Sequence, residues 1–356
     1  MYKYQHGGDI YSENATSTEK TLLDFSANIN PFGLPLGVRD AIVKSINRCV
    51  NYPDAFCREL RVATAELLGV SPDYLFFGNG AADVLFRLTL AVKPRKALLL
   101  APTFADYEKA LRAVGCEVEL YKLDRESFLV KEDILEKINP SLDMLVICNP
   151  NNPTGLLCRQ ELLKAILNRC QACGTLMLLD ECFMDFVPPE QGYSFKGYIE
   201  EYLNLVILKA FTKTFAMPGV RLGYCLTANE GIILGLHEMG QDWNVSILAQ
   251  EAGIAALKEK QYLQDSFAYI QKEREFMLQN LPKLPSIRIW PSLANFIFFN
   301  LRKPPLNFAE NLKEEGFLIR SCANYHNLGN NYYRIAVKRH EDNVALLEAM
   351  ERILSK

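Results

Sequence analysis

Four stretches, ALLLAP at 97–102, MLVICNP at 144–150, TLMLLDE at 175–181 and NLVILKAF at 204–211, are almost unbroken in apolar residues. A strand with one wet face alternates apolar and polar positions, so runs without alternation belong to strands buried on both faces. Between them, YEKALRAVG and RQELLKAILNRC space their apolar residues as amphipathic helices do. This alternation, running from about residue 75 to 230, dictates an α/β fold built on a mostly parallel sheet flanked by helices.

After Trp243 the texture changes. SILAQEAGIAALKEKQYLQDSFAYIQKEREFMLQNL reads as one long helix, FIFFNL and YYRIAV as strands, and DNVALLEAMERIL as a last helix. The pattern predicts an arm and part of a small domain over 1–45, a large domain over 46–245 and a small α+β domain over 246–356. No repeat or polar linker separates them, so tight packing is expected. With 39 basic against 42 acidic residues and no dense Lys/Arg block, the chain is not expected to bind nucleic acid. No apolar run approaches the ~20 residues of a membrane span, and the N-terminus lacks the order of a signal peptide, so a cytoplasmic protein is expected. The ten cysteines are scattered through apolar and helical segments, as buried reduced thiols are. Cys170 and Cys173 form a CxxC without a second pair, at the end of a helix capped by Gly174, which reads as packing with no metal.

In open α/β sheets ligands lie beyond the carboxyl ends of the strands. Asn152 follows MLVICNP, Asp180 ends TLMLLD, and Thr212 and Lys213 follow NLVILKAF. Singly, Asp180 reads as a helix cap and Lys213 as a solvated loop lysine. An Asn, an Asp and a Lys at successive strand ends ask for more than turn chemistry. Pyridoxal 5'-phosphate needs such a set: a lysine amine to bond its aldehyde, a carboxylate to keep its pyridine nitrogen protonated, and a donor to its ring oxygen. FFGNGAADVLFRL offers its phosphate a cradle, because Gly78 and Gly80 permit close backbone approach and N–H groups near Gly80 and Ala81 open the following helix. Thr212 and Arg221 add a hydroxyl and a guanidinium.

The order GNGAAD, APTFADY, NPNNPTG, DECFMDF and FTKTFAMPGVRLGY resembles the fold-type I aminotransferases, in the branch of the histidinol-phosphate aminotransferases. That resemblance implies Lys213 as the lysine bonded to the cofactor, Asp180 as the partner of the pyridine nitrogen and Asn152 as the donor to the ring oxygen. It implies Phe104 stacked on the ring, with Gly80, Ala81, Thr212 and Arg221 around the phosphate. Tyr52 of NYPD matches a tyrosine that reaches the phosphate from the other subunit, which implies a homodimer with shared active sites. Two positions depart from the pattern: Phe183 stands where the family commonly has the tyrosine of DEAY, and Ala210 where it often has Ser or Thr.

HGGDIYSE, LLDFSANINPFGLP and IRSCANYHNLGNNYYRIAVK resemble the threonine-phosphate decarboxylases within this family, and Phe183 agrees with that branch. The resemblance implies decarboxylation of O-phospho-L-threonine, or of O-phospho-L-serine, to aminopropanol (or ethanolamine) phosphate for the nucleotide loop of cobalamin. One methyl separates the two substrates, worth only ~1–3 kcal/mol in an apolar pocket. The alternative is a histidinol-phosphate aminotransferase; a regulator using the fold to bind an effector would require a DNA-binding region where this chain has its HGG arm. A phosphoamino acid carries about three negative charges. Arg334 of YYRIAVK falls at the family's carboxylate-binding arginine. Arg320 of FLIRSC and His6 are then expected at the substrate phosphate, with Asn28 and Asn30 of SANINP donating one amide to each anion. The plain alternatives are an Arg334 facing solvent from its strand and a His6 loose at the terminus. The same catalytic set serves decarboxylation and transamination, and the outcome rests on how the anion binders orient the substrate.

Overall fold

A computed structural model describes residues 6–11, 22–188, 191 and 193–355. Strand β1 (Leu23–Asp24) is followed by β2 (Leu75–Gly78), β3 (Lys96–Ala101), β4 (Glu117–Lys122), β5 (Met144–Cys148), β6 (Leu176–Asp180), β7 (Leu205–Ala210) and β8 (Gly223–Leu226). From β2 to β8 these form one seven-stranded sheet in the order β2-β8-β7-β6-β5-β3-β4. The run from β7 to β4 is parallel, and β8 is antiparallel to both its neighbours. The four apolar runs are β3, β5, β6 and β7, at the centre.

Successive residues of a strand point to opposite faces, and here each face meets its own core. Leu98, Leu100, Leu145, Ile147, Met177 and Leu179 join one hydrophobic cluster. Their neighbours Leu99, Met144, Val146, Leu178, Val206 and Leu208 join the other. Two covering layers explain why no polar residue interrupts these strands. The helices Ala81–Val92, Ala105–Ala113 and Gln160–Cys173 provide cover between strands, the last ending at Gly174 with φ +71°. All ten cysteines are free thiols.

The remaining strands are β9 (Ile287–Ile289), β10 (Phe296–Leu301), β11 (Phe317–Leu318), β12 (Arg320–Ser321) and β13 (Tyr332–Ala336). Four of them form an antiparallel sheet in the order β12-β13-β10-β9, and β11 pairs in parallel with β1. The N-terminal segment therefore joins the C-terminal region. Phe25 is fully buried there, its N–H donating to Leu318 O at 2.8 Å and its carbonyl accepting from Ala336 N at 2.8 Å.

The single long helix expected after Trp243 is two, Ile247–Ala256 and Lys260–Asn280. The first is apolar nearly all round and packs on the helices Leu36–Ser45 and Arg58–Leu68. The second buries a stripe containing Ile270, Arg274 and Met277 elsewhere, so the chain must turn between them. Among the described residues, no helix is long and apolar enough to cross a membrane.

Candidate active site

The carboxyl ends of β5, β6 and β7 open into a cavity of about 290 Å³. Of the residues expected from sequence, His6, Asn28, Ala81, Phe104, Asn152, Asp180, Thr212, Lys213, Arg221, Arg320 and Arg334 line it.

Lys213 stands on a short helical turn, Phe211–Thr214, directly after β7. Burial, and then the nearby Arg334 guanidinium, push its amine down to about 8. A neutral amine is the form that attacks an aldehyde carbon. The chain holds a second lysine four residues earlier, but Lys209 is committed to Asp185, its Nζ donating at 2.7 Å. Asp180 ends β6 with both carboxylate oxygens engaged: Oδ1 accepts from Cys182 N at 2.8 Å and Oδ2 from the Tyr107 hydroxyl at 2.5 Å. Burial pushes this carboxyl above its ordinary range. A buried acid of this kind gains most from a cationic N–H partner such as a protonated ring nitrogen.

Gly80 precedes the twelve-residue helix Ala81–Val92 with φ +88°. A Cβ placed on Gly80 would come within 2.4 Å of Arg221 Nη2, and one on Gly223 within 2.3 Å of Ala81 N. The two glycines thus let a helix N-terminus and a guanidinium close on one point, with the Thr212 side chain lining the same cavity. The first N–H groups of a helix lack intrahelical partners and bind anions well. Such a point suits a phosphate group, and with Lys213, Asp180 and the Phe104 ring the lining fits pyridoxal phosphate.

The opposite wall is cationic. Arg320 and Arg334 are cross-strand partners on β12 and β13. Arg334 is buried, donating to Asn152 Oδ1 at 2.5 Å and to Ser26 O at 2.8 Å, while its Nε has no partner. With its oxygen taken by Arg334, the Asn152 amide offers only N–H donors elsewhere, the polarity an accepting ring oxygen requires. His6 and Gly7 also line the cavity. His6 Nε2 sits 3.0 Å from Asp106 Oδ1, its ring 5.4 Å from that of Phe104, and Gly8 N donates to Ser26 Oγ at 2.7 Å.

Two expected residues are elsewhere. Asn30 is no anion donor: its Nδ2 donates to Thr214 O and Ser266 Oγ, each at 2.9 Å, its Oδ1 accepts from Phe32 N, and its N–H donates to Lys213 O at 3.1 Å. Its amide braces the lysine turn from behind instead. Tyr52 lies outside the cavity, 78% exposed and stacked on Trp243 at 4.4 Å. Asn28 does line the cavity, with a buried Oδ1 that has no partner. Phe183 also lines it, packed edge-on against Phe296 at 5.0 Å.

Sequence reasoning missed Tyr107, Ser26 and Asp106. Tyr107 had a signal: it follows Phe104 by three residues where a helix begins, and such residues are neighbours. Ser26 and Asp106 had none, since their roles depend on a segment folded back from the opposite side.

A family model for class I and II aminotransferases matches residues 20–353. Threonine-phosphate decarboxylase of Salmonella typhimurium is 35% identical over 100% of this chain and 98% of its own. The adenosylcobalamin biosynthesis bifunctional protein of Leptospira interrogans is 29% identical over 98% of this chain, which spans 41% of that longer protein. The crystal structure of the histidinol-phosphate aminotransferase from Clostridium acetobutylicum superposes with a TM-score of 0.88 at 32% identity, covering 94% of this chain and 99% of that one. The glycine-built cradle, the lysine turn after β7 and the acid at the end of β6 thus sit within a match that spans nearly the whole sequence, and the chain belongs to the class I and II aminotransferase family.

Proposed function

We propose that this chain is a pyridoxal 5'-phosphate enzyme that decarboxylates O-phospho-L-threonine, with O-phospho-L-serine as the smaller alternative. The observation that carries the reading is the pair Arg320 and Arg334, adjacent guanidiniums lining the same cavity as Lys213. Two anionic groups on one small substrate are what such a pair is suited to bind. The full-length similarity to a threonine-phosphate decarboxylase supports it.

Lys213, Asp180, Asn152, Phe104 and the cradle of Gly80, Ala81, Thr212 and Arg221 would hold the cofactor. When bound, it supplies an electron sink for the bond broken at the substrate α-carbon. Arg334, charged and buried in the cavity wall, binds the substrate carboxylate. Arg320, with His6 and Asn28 nearby, takes the phosphate. The carboxylate leaves as CO2, and Lys213 Nζ delivers the proton that replaces it on the α-carbon. An amine near 8 is suited to holding and releasing that proton around neutral pH. Phe183 offers no hydroxyl to the cavity, which leaves Asn152 as the donor to the ring oxygen.

A cytoplasmic homodimer belongs to the same proposal. Its support is the exposed Tyr52, flanked by exposed Val50 and Phe56, together with ten free thiols. The small unit over 246–356, joined by the N-terminal segment, would close on the large one over 46–245. The similarity to the adenosylcobalamin biosynthesis protein of Leptospira supports a product, aminopropanol phosphate, destined for the nucleotide loop of a cobalamin.

The Clostridium structure favours a second reading, amino transfer from histidinol phosphate. One assay separates them. Cofactor-loaded protein given O-phospho-L-threonine without any keto acid is expected to release CO2 and aminopropanol phosphate. Release of neither, with transfer from histidinol phosphate to 2-oxoglutarate, would establish the second reading.

A further inference from the structure

We infer that Asp106 and Ser26 are positioning residues that fasten the N-terminal strap over the cavity, and that the pair of Asp106 with His6 acts as a charge gate for an anionic substrate. The inference rests on the reading that the substrate is anionic. Asp106 lines a cavity that also holds Arg221, Arg320, Arg334 and Lys213, with Asp180 at its floor as the other carboxylate. A carboxylate there repels an entering phosphate unless a cation offsets it. His6 caps this carboxylate, its Nε2 at 3.0 Å from Asp106 Oδ1, the two side chains exposing only 24% and 15% of their surfaces.

The strap is seated by more than this contact. Gly8 N donates to Ser26 Oγ, and a Cβ on Gly7 would lie 2.3 Å from Ser26 O, so the chain runs flush against Ser26. The Ser26 carbonyl in turn accepts from Arg334, and its hydroxyl donates to Asp24 Oδ1 at 2.6 Å. One residue therefore touches both the strap and the guanidinium proposed to bind substrate. With the strap seated, the His6 ring covers Asp106; with it lifted, the mouth carries a bare carboxylate. Asp106 also stands in the first turn of the helix Ala105–Ala113, where a negative charge favours the helix regardless of surroundings. That ordinary role predicts an effect independent of His6, whereas a gate predicts dependence.

The test is a mutant cycle on the holoenzyme. His6→Ala leaves Asp106 uncompensated, and KM for O-phospho-L-threonine is expected to rise about tenfold, more than kcat falls. Adding Asp106→Asn to His6→Ala should lower KM again. Asp106→Asn alone, and Ser26→Ala as an independent variant, should speed hydrogen exchange of the backbone amides at residues 6–9. Should the protein not turn over O-phospho-L-threonine, the same cycle is read on binding of inorganic phosphate by calorimetry, so that the substrate reading and the gate fail separately. A double variant whose KM, or phosphate affinity, is no better than that of His6→Ala would overturn the gate. Unchanged exchange in both Asp106→Asn and Ser26→Ala would overturn the fastening.

Discussion

Lys213 is the residue whose surroundings most alter its ordinary chemistry. Burial pushes its amine down to about 8 in the folded chain, against 10.5 for a solvated lysine of the unfolded one. Between those two values the unfolded chain holds a proton that the folded one does not, so stability rises with pH across the window, and the cost of burying the amine is borne in full below it. For the cofactor-free protein, Lys213→Met is therefore expected to be more stable than the unsubstituted chain at neutral pH. That gain should fade toward pH 10.5 in denaturant titrations, and a gain that does not vary with pH would remove the assigned shift. The sequence marked Lys213 and Asp180 because strand ends are where α/β sheets place ligands. It misjudged Asn30, two residues from Asn28 in SANINP, because an amide carries no sign of whether a ligand or a neighbouring carbonyl will use it. Here Thr214 O and Ser266 Oγ use it.

Among the elements, the central strands were legible because burial on both faces removes every polar residue from them. The edge strand β4, Glu117–Lys122, was not, since it is exposed at both ends, buries only Tyr121 and lacks the unbroken apolar run. The break between Ile247–Ala256 and Lys260–Asn280 was hidden for a related reason. Both halves are good helix, and only the direction of their partners requires a bend. The contact between β8 and the helix Ala81–Val92 leaves no room for a side chain. Gly223→Ala would drive a Cβ into Ala81 N, a backbone atom that cannot swing aside. A loss of about 2 kcal/mol is expected in denaturant unfolding. Cofactor release should also quicken, because the helix N-terminus is moved off its point of convergence with Arg221. A Gly223→Ala protein with unchanged unfolding midpoint and cofactor retention would contradict this packing.

For the whole molecule, the proposed pairing of subunits has a direct test. If Tyr52 serves the partner's cavity, a Tyr52→Phe chain and a Lys213→Ala chain fail in different sites of a mixed dimer, and one site in each hybrid is intact. Mixing and refolding the two inactive or weakened proteins is expected to restore decarboxylation. A mixture no more active than the sum of its components would argue for sites that do not share residues. Fold class was legible at this scale from the alternation of strand and helix alone. The closure of the two chain ends on each other was not, because Leu23–Asp24 and Phe317–Leu318 are strands of two residues each and carry no pattern of their own. That closure bears on how the chain is made. Synthesis delivers the N-terminal segment first, yet the partners of Leu23, Phe25 and Ser26 lie at Phe317, Leu318, Arg334 and Ala336, nearly three hundred residues later. The sheet from β2 to β8 can form while the ribosome is still at work, but residues 23–26 must wait for residues 317–336. The wall that carries Arg320 and Arg334 is thus completed only after the strand ends that carry Asp180 and Lys213.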